Sequence, residues 1–385
     1  MAIVTAKDLD GLLGQISAPV FSVYLPTHRT HPDNEVDPRT FRQLVDEFAS
    51  FREEYAQDIG IQQVFKRFDA LASDYRFWQH TRDGLAVFAT RDTFDIFRLP
   101  RTVNPLAVVA DSAHTKPLLK YLQTQQDRYH LLVLSTNTAQ LFEGDQYHLD
   151  ELDISEDGVP ESMIDALDHE QRDLHATLAA YRTATGEEWD TRQNHGLRKT
   201  NIDNDIEQFF REVDRAVLAR YSAPSGLPLI IAALTEHHHL FRRASQNPYL
   251  HDTGIHGNAA AMDEDTLREE AWKVYEPVYA AKVDGLVERF NHAASKGLGV
   301  DQLNQIAKDA YDGKVASLLV EEHRIIPGRI VDRENLFIDA ERTEGLTDDV
   351  LDDLAALVMQ QGGEVWVIPA GRMPTATGAA AINRF

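Results

Sequence analysis

Leu106-Ala107-Val108-Val109-Ala110-Asp111-Ser112-Ala113-His114-Thr115 decides the fold. Its first five residues are apolar and read as a short buried strand, Leu106–Ala110; the small and polar residues after them break the run. From His114 to Gln123, Leu118, Leu119 and Leu122 fall on one face of a helix. Three closely spaced strands follow, His130–Leu134, Ala139–Phe142 and Gln146–Leu152, with Glu143-Gly144-Asp145 as the turn between the last two. Strand, helix and clustered strands in such short order predict an α/β protein.

The pattern extends in both directions. Towards the amino terminus, Thr5-Ala6-Lys7-Asp8 is a capping box opening a short helix. Val20–Leu25 is a buried strand ended by Pro26, and Pro38–Gln57 and Ile61–Tyr75 are amphipathic helices. Gly84–Ala89 and Phe94–Leu99 form a hairpin around Thr90-Arg91-Asp92-Thr93. Towards the carboxy terminus, Thr200-Asn201-Ile202-Asp203 predicts a second capping box, with Phe209, Phe210 and Val213 on the buried face of its helix. Strand Leu229–Leu234 and a helix from Thr235 come next. A long helix from Asp263, kinked or interrupted at Pro277, leads to helix Asp301–Asp312, strand Val315–Val320 and helix Thr347–Gln360, then strands Glu364–Ile368 and Ala380–Phe385. Trp272 and Trp366 read as core.

The chain has 385 residues, 43% of them hydrophobic, enough for two or three cores. It has no cysteine, hence no disulfide, thiolate metal site or cysteine nucleophile. The start lacks a signal pattern and no apolar run reaches membrane-spanning length, so a cytoplasmic protein without a membrane partner is expected. With 62 acidic residues against 38 basic ones the formal charge is -24. Such a surface serves solubility and excludes bulk binding of DNA or RNA; a nucleic-acid contact would need segregated cations.

Such a segregation occurs at Arg192-Gln193-Asn194-His195-Gly196-Leu197-Arg198-Lys199, inside a long polar excursion expected to be a loop over residues 153–201. Arg192, Arg198 and Lys199 could meet phosphates, Asn194 and His195 could bond bases or riboses, and Gly196 would allow close approach. His28, Arg29 and His31, with Arg39, make a smaller basic cluster after the first strand.

Three stretches resemble, in order, the class-one release factors of eukaryotes and archaea and their relative Pelota. Phe21–Pro26 followed by Asp83–Phe88 looks like two strands of their amino-terminal domain. Val108–Thr115, a helix, then Leu132-Val133-Leu134, Ala139–Phe142 and Gly144 resemble the junction into their middle domain. Ala310–Val315, Gly362–Val365 and Gly378–Phe385 look like the end of Pelota. The chain is thus similar to the bacterial archaeo-eukaryotic release-factor-like families, which include the hibernation factor Balon. The resemblance implies three domains: an α/β amino-terminal domain (1–125), an RNase H-like middle domain (126–258), and an α/β sandwich like the ribosomal proteins that bind kinked RNA (259–385). It further implies binding to ribosomal RNA in the A site, a translational GTPase as partner, the Arg192–Lys199 tip near the peptidyl-transferase centre, and His28, Arg29 and His31 as decoding-site contacts.

Two departures limit the activity. No Gly-Gly-Gln occurs, Asn194-His195-Gly196 standing in that region, and Asn-Ile-Lys-Ser is absent. Ala110 and Ala113 also replace the Cys and Phe of the second codon-reading motif. A non-hydrolytic factor is therefore expected, with ribosome hibernation as its role and no cofactor. The alternatives are a rescue or release factor hydrolysing peptidyl-tRNA through Asn194 or His195, and a metal-dependent RNA nuclease using Asp111, Asp150, Asp153, Asp203 or Asp205. Glu236-His237-His238-His239 reads as a surface helix end rather than a metal site, because consecutive residues at a helix start point apart.

Overall fold

The computed structural model describes residues 4–14, 19–155, 158–162, 194–333, 336–338 and 348–385. The chain is mixed α/β with several sheets and packs as two compact units, one of residues 1–126 with 280–385, the other of residues 127–279.

In the first unit the capping box at Thr5 forms as expected: Thr5 N–H donates to Asp8 Oδ2 at 2.8 Å, and Asp8 N–H to the Thr5 hydroxyl at 3.4 Å. The amino-terminal sheet contains β1 (Val20–Pro26), β2 (Gly84–Ala89), β3 (Phe94–Leu99) and β4 (Leu106–Ala110), in the order β3-β2-β1-β4 and antiparallel throughout. β1 is buried on both faces, which is why it reads as an unbroken apolar run. Phe21, Val23 and Leu25 pack with helices Asp37–Asp46 and Ile59–Ala72, while Val20 and Tyr24 face the opposite core. Phe21 lies edge-on to Phe48, Phe65 and Phe68 at 5.2, 5.5 and 6.1 Å between ring centres. The expected single helix over Pro38–Gln57 breaks into Asp37–Asp46 and Ala49–Glu54, with Phe48 at the break buried against Phe21.

The second unit is built on β5 (Tyr129–Leu134), β6 (Ala139–Gly144), β7 (Leu149–Leu152), β8 (Leu229–Ala233) and β9 (Ile255–His256), ordered β7-β6-β5-β8-β9. β6 runs against both of its neighbours, while β8 and β9 run parallel to β5. One face is covered by Phe209, Phe210, Val213 and Val217 of helix Asn194–Val217, and by Phe241 of helix Thr235–Ala244. Leu267, Ala271 and Tyr275 cover the other face, with Trp272 partly buried beside them. Both faces being buried explains the apolar run of Leu229–Ala233.

Helix Asn194–Val217 begins before the expected start at Thr200, so Thr200–Asp203 lie inside it rather than at its start. Arg198 and Lys199 are good helix formers, and Gly196 costs only about 1 kcal/mol within a helix, so nothing stops the upstream turns from joining. Pro277 lies inside an unbroken helix, Glu264–Ser295.

The remainder of the first unit is a sheet of β10 (Gly299–Val300), β11 (Val315–Glu321), β14 (Glu364–Ile368) and β15 (Ala379–Asn383), ordered β10-β15-β11-β14. A hairpin of β12 (Gly328–Ile330) and β13 (Leu336–Ile338) accompanies it. Helices Leu303–Tyr311 and Val350–Gln360 pack with this sheet, and their core is continuous with Leu118 and Tyr121 of helix Lys116–Thr124 and with Tyr24 and Phe88 of the amino-terminal sheet. Edge strand β14 meets helix Lys116–Thr124, where the Gln123 side-chain carbonyl accepts from Val367 N–H at 2.9 Å. Trp366, expected in the core, is only half-buried on this edge strand, with the Lys282 ammonium 5.3 Å from its ring centre.

The aromatic cluster around Phe21 should carry much of the amino-terminal sheet's stability. Phe21→Ala is expected to lower the unfolding free energy of the first unit by about 3–5 kcal/mol in urea titrations; a loss under about 1 kcal/mol would show that the cluster can collapse around the gap.

Candidate functional site

The long helix of the second unit carries most of the cationic tip. Asn194, His195, Gly196, Arg198 and Lys199 occupy its first turns and are helical rather than looped, with Asn194 and Arg198, and His195 and Lys199, each four residues apart; Arg192 lies outside the described residues. Farther along, Ile206, Phe209 and Phe210 anchor the helix to the sheet. Arg211 is held by Glu207 at 2.5 Å, and Arg215 and Arg243 pair with Glu212 and Glu207.

The cluster after β1 is differently arranged. Arg29 makes a two-pronged contact with Asp83, Nε to Oδ1 at 2.8 Å and a terminal nitrogen to Oδ2 at 2.6 Å, so its charge is already balanced. His28 turns its Nδ1 to the buried Asp37 carboxylate at 2.7 Å. His31 stays exposed, 3.4 Å from Glu35, and lines a cleft of about 670 Å³ together with Tyr75 and Trp78. The three expected contacts therefore do not present three cations together.

The carboxylates considered for metal chemistry are spread over separate elements. Asp111 pairs with Arg329 at 3.0 Å, Asp150 sits opposite Glu143 in the β6–β7 ladder, and Asp153 accepts from Ser155. Asp203 and Asp205 lie within helix Asn194–Val217. His238 Nε2 meets the Ile255 carbonyl at 2.8 Å and its ring stacks on His256, while His237 is buried against Phe210. These two histidines thus belong to the interior, not to a surface helix end. Among the described residues no group of three or more His, Asp or Glu side chains converges as a metal would need.

The most densely built polar site lies where residues 111–116 meet the start of helix Val350–Gln360, within the first unit. Asp349 caps that helix by accepting from Leu351 N–H at 3.1 Å, takes Ile326 N–H at 2.9 Å on the same oxygen, and binds the buried Lys116 ammonium at 2.5 Å on the other. Asp352 accepts from the amides of Thr115 and Lys116 at 2.8 and 2.5 Å through one oxygen. Asp353 takes Ile330 N–H at 3.0 Å and the Ser112 hydroxyl at 3.3 Å. On the opposite side, His114 N–H donates to Ser22 and its carbonyl accepts from Tyr24 Oη at 2.6 Å. Of the segment read in sequence as a family-like junction, Ser112 and Thr115, with Lys116 after them, receive the start of helix Val350–Gln360, while Asp111 pairs with Arg329 and His114 bonds back to β1. Their partners at 349–353 were not among the sequence candidates. The acids crowd at a helix start, where the dipole favours negative charge.

Residues 128–314 match the family described as Bacterial archaeo-eukaryotic release factor family 3. The matched stretch runs from just before β5 to just before β11 and overlaps the Val108–Gly144 segment whose resemblance was read from the sequence. Among solved structures, an archaeal translation termination factor is 15% identical over 99% of this chain and 97% of that one, with a TM-score of 0.26. Dom34 of S. cerevisiae, described as a translation termination-like factor involved in RNA quality control pathways, is 11% identical over 76% of this chain and 73% of that one, with a TM-score of 0.36. The Pelota protein of Thermoplasma acidophilum is 12% identical over 79% of this chain and 80% of that one, with a TM-score of 0.25. No curated protein matches the chain.

The ion pair at the junction yields a double-mutant test. Asp349→Ala strands a buried ammonium and should cost about 3–5 kcal/mol in urea denaturation. Adding Lys116→Met removes the stranded charge and should recover part of that loss. Purely additive losses would mean that the two side chains do not act as a pair.

Proposed function

We propose that this chain is a ribosome-associated, release-factor-like translation factor that enters the A site without hydrolysing peptidyl-tRNA, and that its role is ribosome hibernation. The observation that carries the reading is the release-factor family match over residues 128–314, which spans the helix bearing Arg198 and Lys199. In an acidic chain, cations at the far end of an anchored helix are suited to reach an RNA cavity, while the body stays repelled from RNA at large. The sheet order β7-β6-β5-β8-β9 with β6 reversed supports the RNase H-like reading of the middle region. Lack of the Gly-Gly-Gln tripeptide supports the non-hydrolytic role. The carboxy-terminal α/β segment is the surface offered to a translational GTPase, and His31 is the member of the second cluster left to make a decoding-site contact.

Co-sedimentation with ribosomes, with and without such a GTPase, tests the proposal. Arg192→Ala, Arg198→Ala and Lys199→Ala together should weaken ribosome binding about tenfold or more and flatten its salt dependence, as expected for lost phosphate contacts. The melting temperature is expected to move little, by no more than a change of about 0.5 kcal/mol would shift it. Unchanged sedimentation in the triple variant would remove the arm from the interface. Turnover of peptidyl-tRNA that vanishes in His195→Ala would replace the non-hydrolytic reading with an enzymatic one.

A further inference from the structure

We propose that the contact between residues 111–116 and helix Val350–Gln360 is a proton-operated latch, in which a proton on Asp352 is donated to His114 and its loss loosens the helix. Two buried atoms motivate this. His114 Nδ1 and Asp352 Oδ2 have no hydrogen-bond partner, are 4.0 Å apart, and belong to side chains only 2% and 1% exposed. An unmade hydrogen bond on each of two facing buried groups is costly. A proton on Oδ2 makes that oxygen a donor to a neutral imidazole, and a shift of about 1 Å brings the pair to hydrogen-bond length. The other Asp352 oxygen is already committed to two backbone amides, so it cannot turn to His114 without leaving them.

The surroundings favour the neutral pair. Burial, and then the charge of Asp349, push the Asp352 carboxyl up to about 7, while burial pushes the His114 imidazole down to about 4. Between those values the carboxyl keeps its proton and the ring is an acceptor. The charged and titratable groups around this pair are Asp349, which caps the helix, Asp353 on it and Asp348 before it, Lys116 and Asp111 on the receiving segment, the last paired with Arg329 of β12, and Tyr24 of β1 with Arg101 near it. Acids outnumber cations there, so each further ionisation is opposed. Burial likewise raises Asp353 to about 7 and Asp348 to about 8, with neighbouring carboxylates adding to both.

The direction follows from linkage. A carboxyl raised in the folded state contributes stability that is whole below its ordinary value near 3.8 and is lost as pH rises through the folded value. His114 acts the opposite way, its depressed basicity weakening the fold as pH falls below about 6.5, and so partly cancels the carboxyls in acid. Above that pH the opposition ends, and Asp352, Asp353 and Asp348 all work to release the helix as the solution approaches pH 8.

Carbon-13 NMR of the aspartate carboxyls and hydrogen exchange of helix Val350–Gln360, both on the full chain, test the latch. Of the carboxyls that titrate near neutrality, those of Asp352, Asp353 and Asp348, one should be missing from the Asp352→Asn spectrum. Protection of the helix, corrected for intrinsic exchange, should fall between about pH 5 and 8 and level off above, with a limiting slope of about tenfold per pH unit for each carboxyl protonated only in the folded state. Asp352→Asn keeps an oxygen for the two amides and supplies a fixed N–H to His114, so its protection should fall less steeply. An Asp352 carboxyl already ionised at pH 6 would overturn the proposal, as would a helix equally protected at both pH values or an unchanged slope in the variant.

Discussion

A lysine ammonium taken out of water must find a carboxylate, and Lys116 finds Asp349 across most of the length of the chain. The arrangement of the first unit depends on that requirement. Asp349 is also the residue that starts helix Val350–Gln360, so satisfying the ammonium sets where the helix begins against the end of β4 and the helix after it. Swapping a buried pair for apolar side chains often leaves stability unchanged or improves it, whereas removing one member is severe. The contribution of this pair is therefore better described as choosing one docking position. The stabilisation itself comes from the apolar core around it, where Leu118 and Tyr121 meet Leu351 and Leu354.

The second unit solves a different problem. Its sheet is covered on both faces, and one of the covering helices also carries Arg198 and Lys199 in its first turns. Phe209, Phe210 and Val213 hold the inner part, so the turns bearing Arg198 and Lys199 begin from a fixed base. Elsewhere Arg29, Arg211 and Arg243 are already matched with Asp83 and Glu207. Matched cations offer little to a phosphate, so the charge excess of -24 leaves RNA few places to bind.

Much of this architecture was legible in the residues. β2, β3, β4 and β14 lie where alternation and apolar runs placed them, because short strands bounded by turn residues leave a local trace. Two-residue strands such as β9 and β10 have no period to detect, and the break between Asp46 and Ala49 has no Gly or Pro to announce it. The start of the long helix was misplaced because a good capping signal does not prevent a helix from starting upstream. The site divides similarly. Arg198 and Lys199 stood out as local charge, and the Asp111–Thr115 segment stood out by resemblance. That Asp349, Asp352 and Asp353 answer that segment was invisible, since no local spacing encodes a partner so far along the chain.

The bond between the Gln123 side chain and Val367 N–H has a consequence beyond the first unit's own packing. A bare outer strand offers its outward amides to any extended peptide, which is how folded proteins recruit one another into swapped dimers or fibres. Here a glutamine from the neighbouring helix occupies one of those donors on β14 and that helix stands beside the strand, so a crowded cell gives this sheet less chance to grow by addition of a stranger.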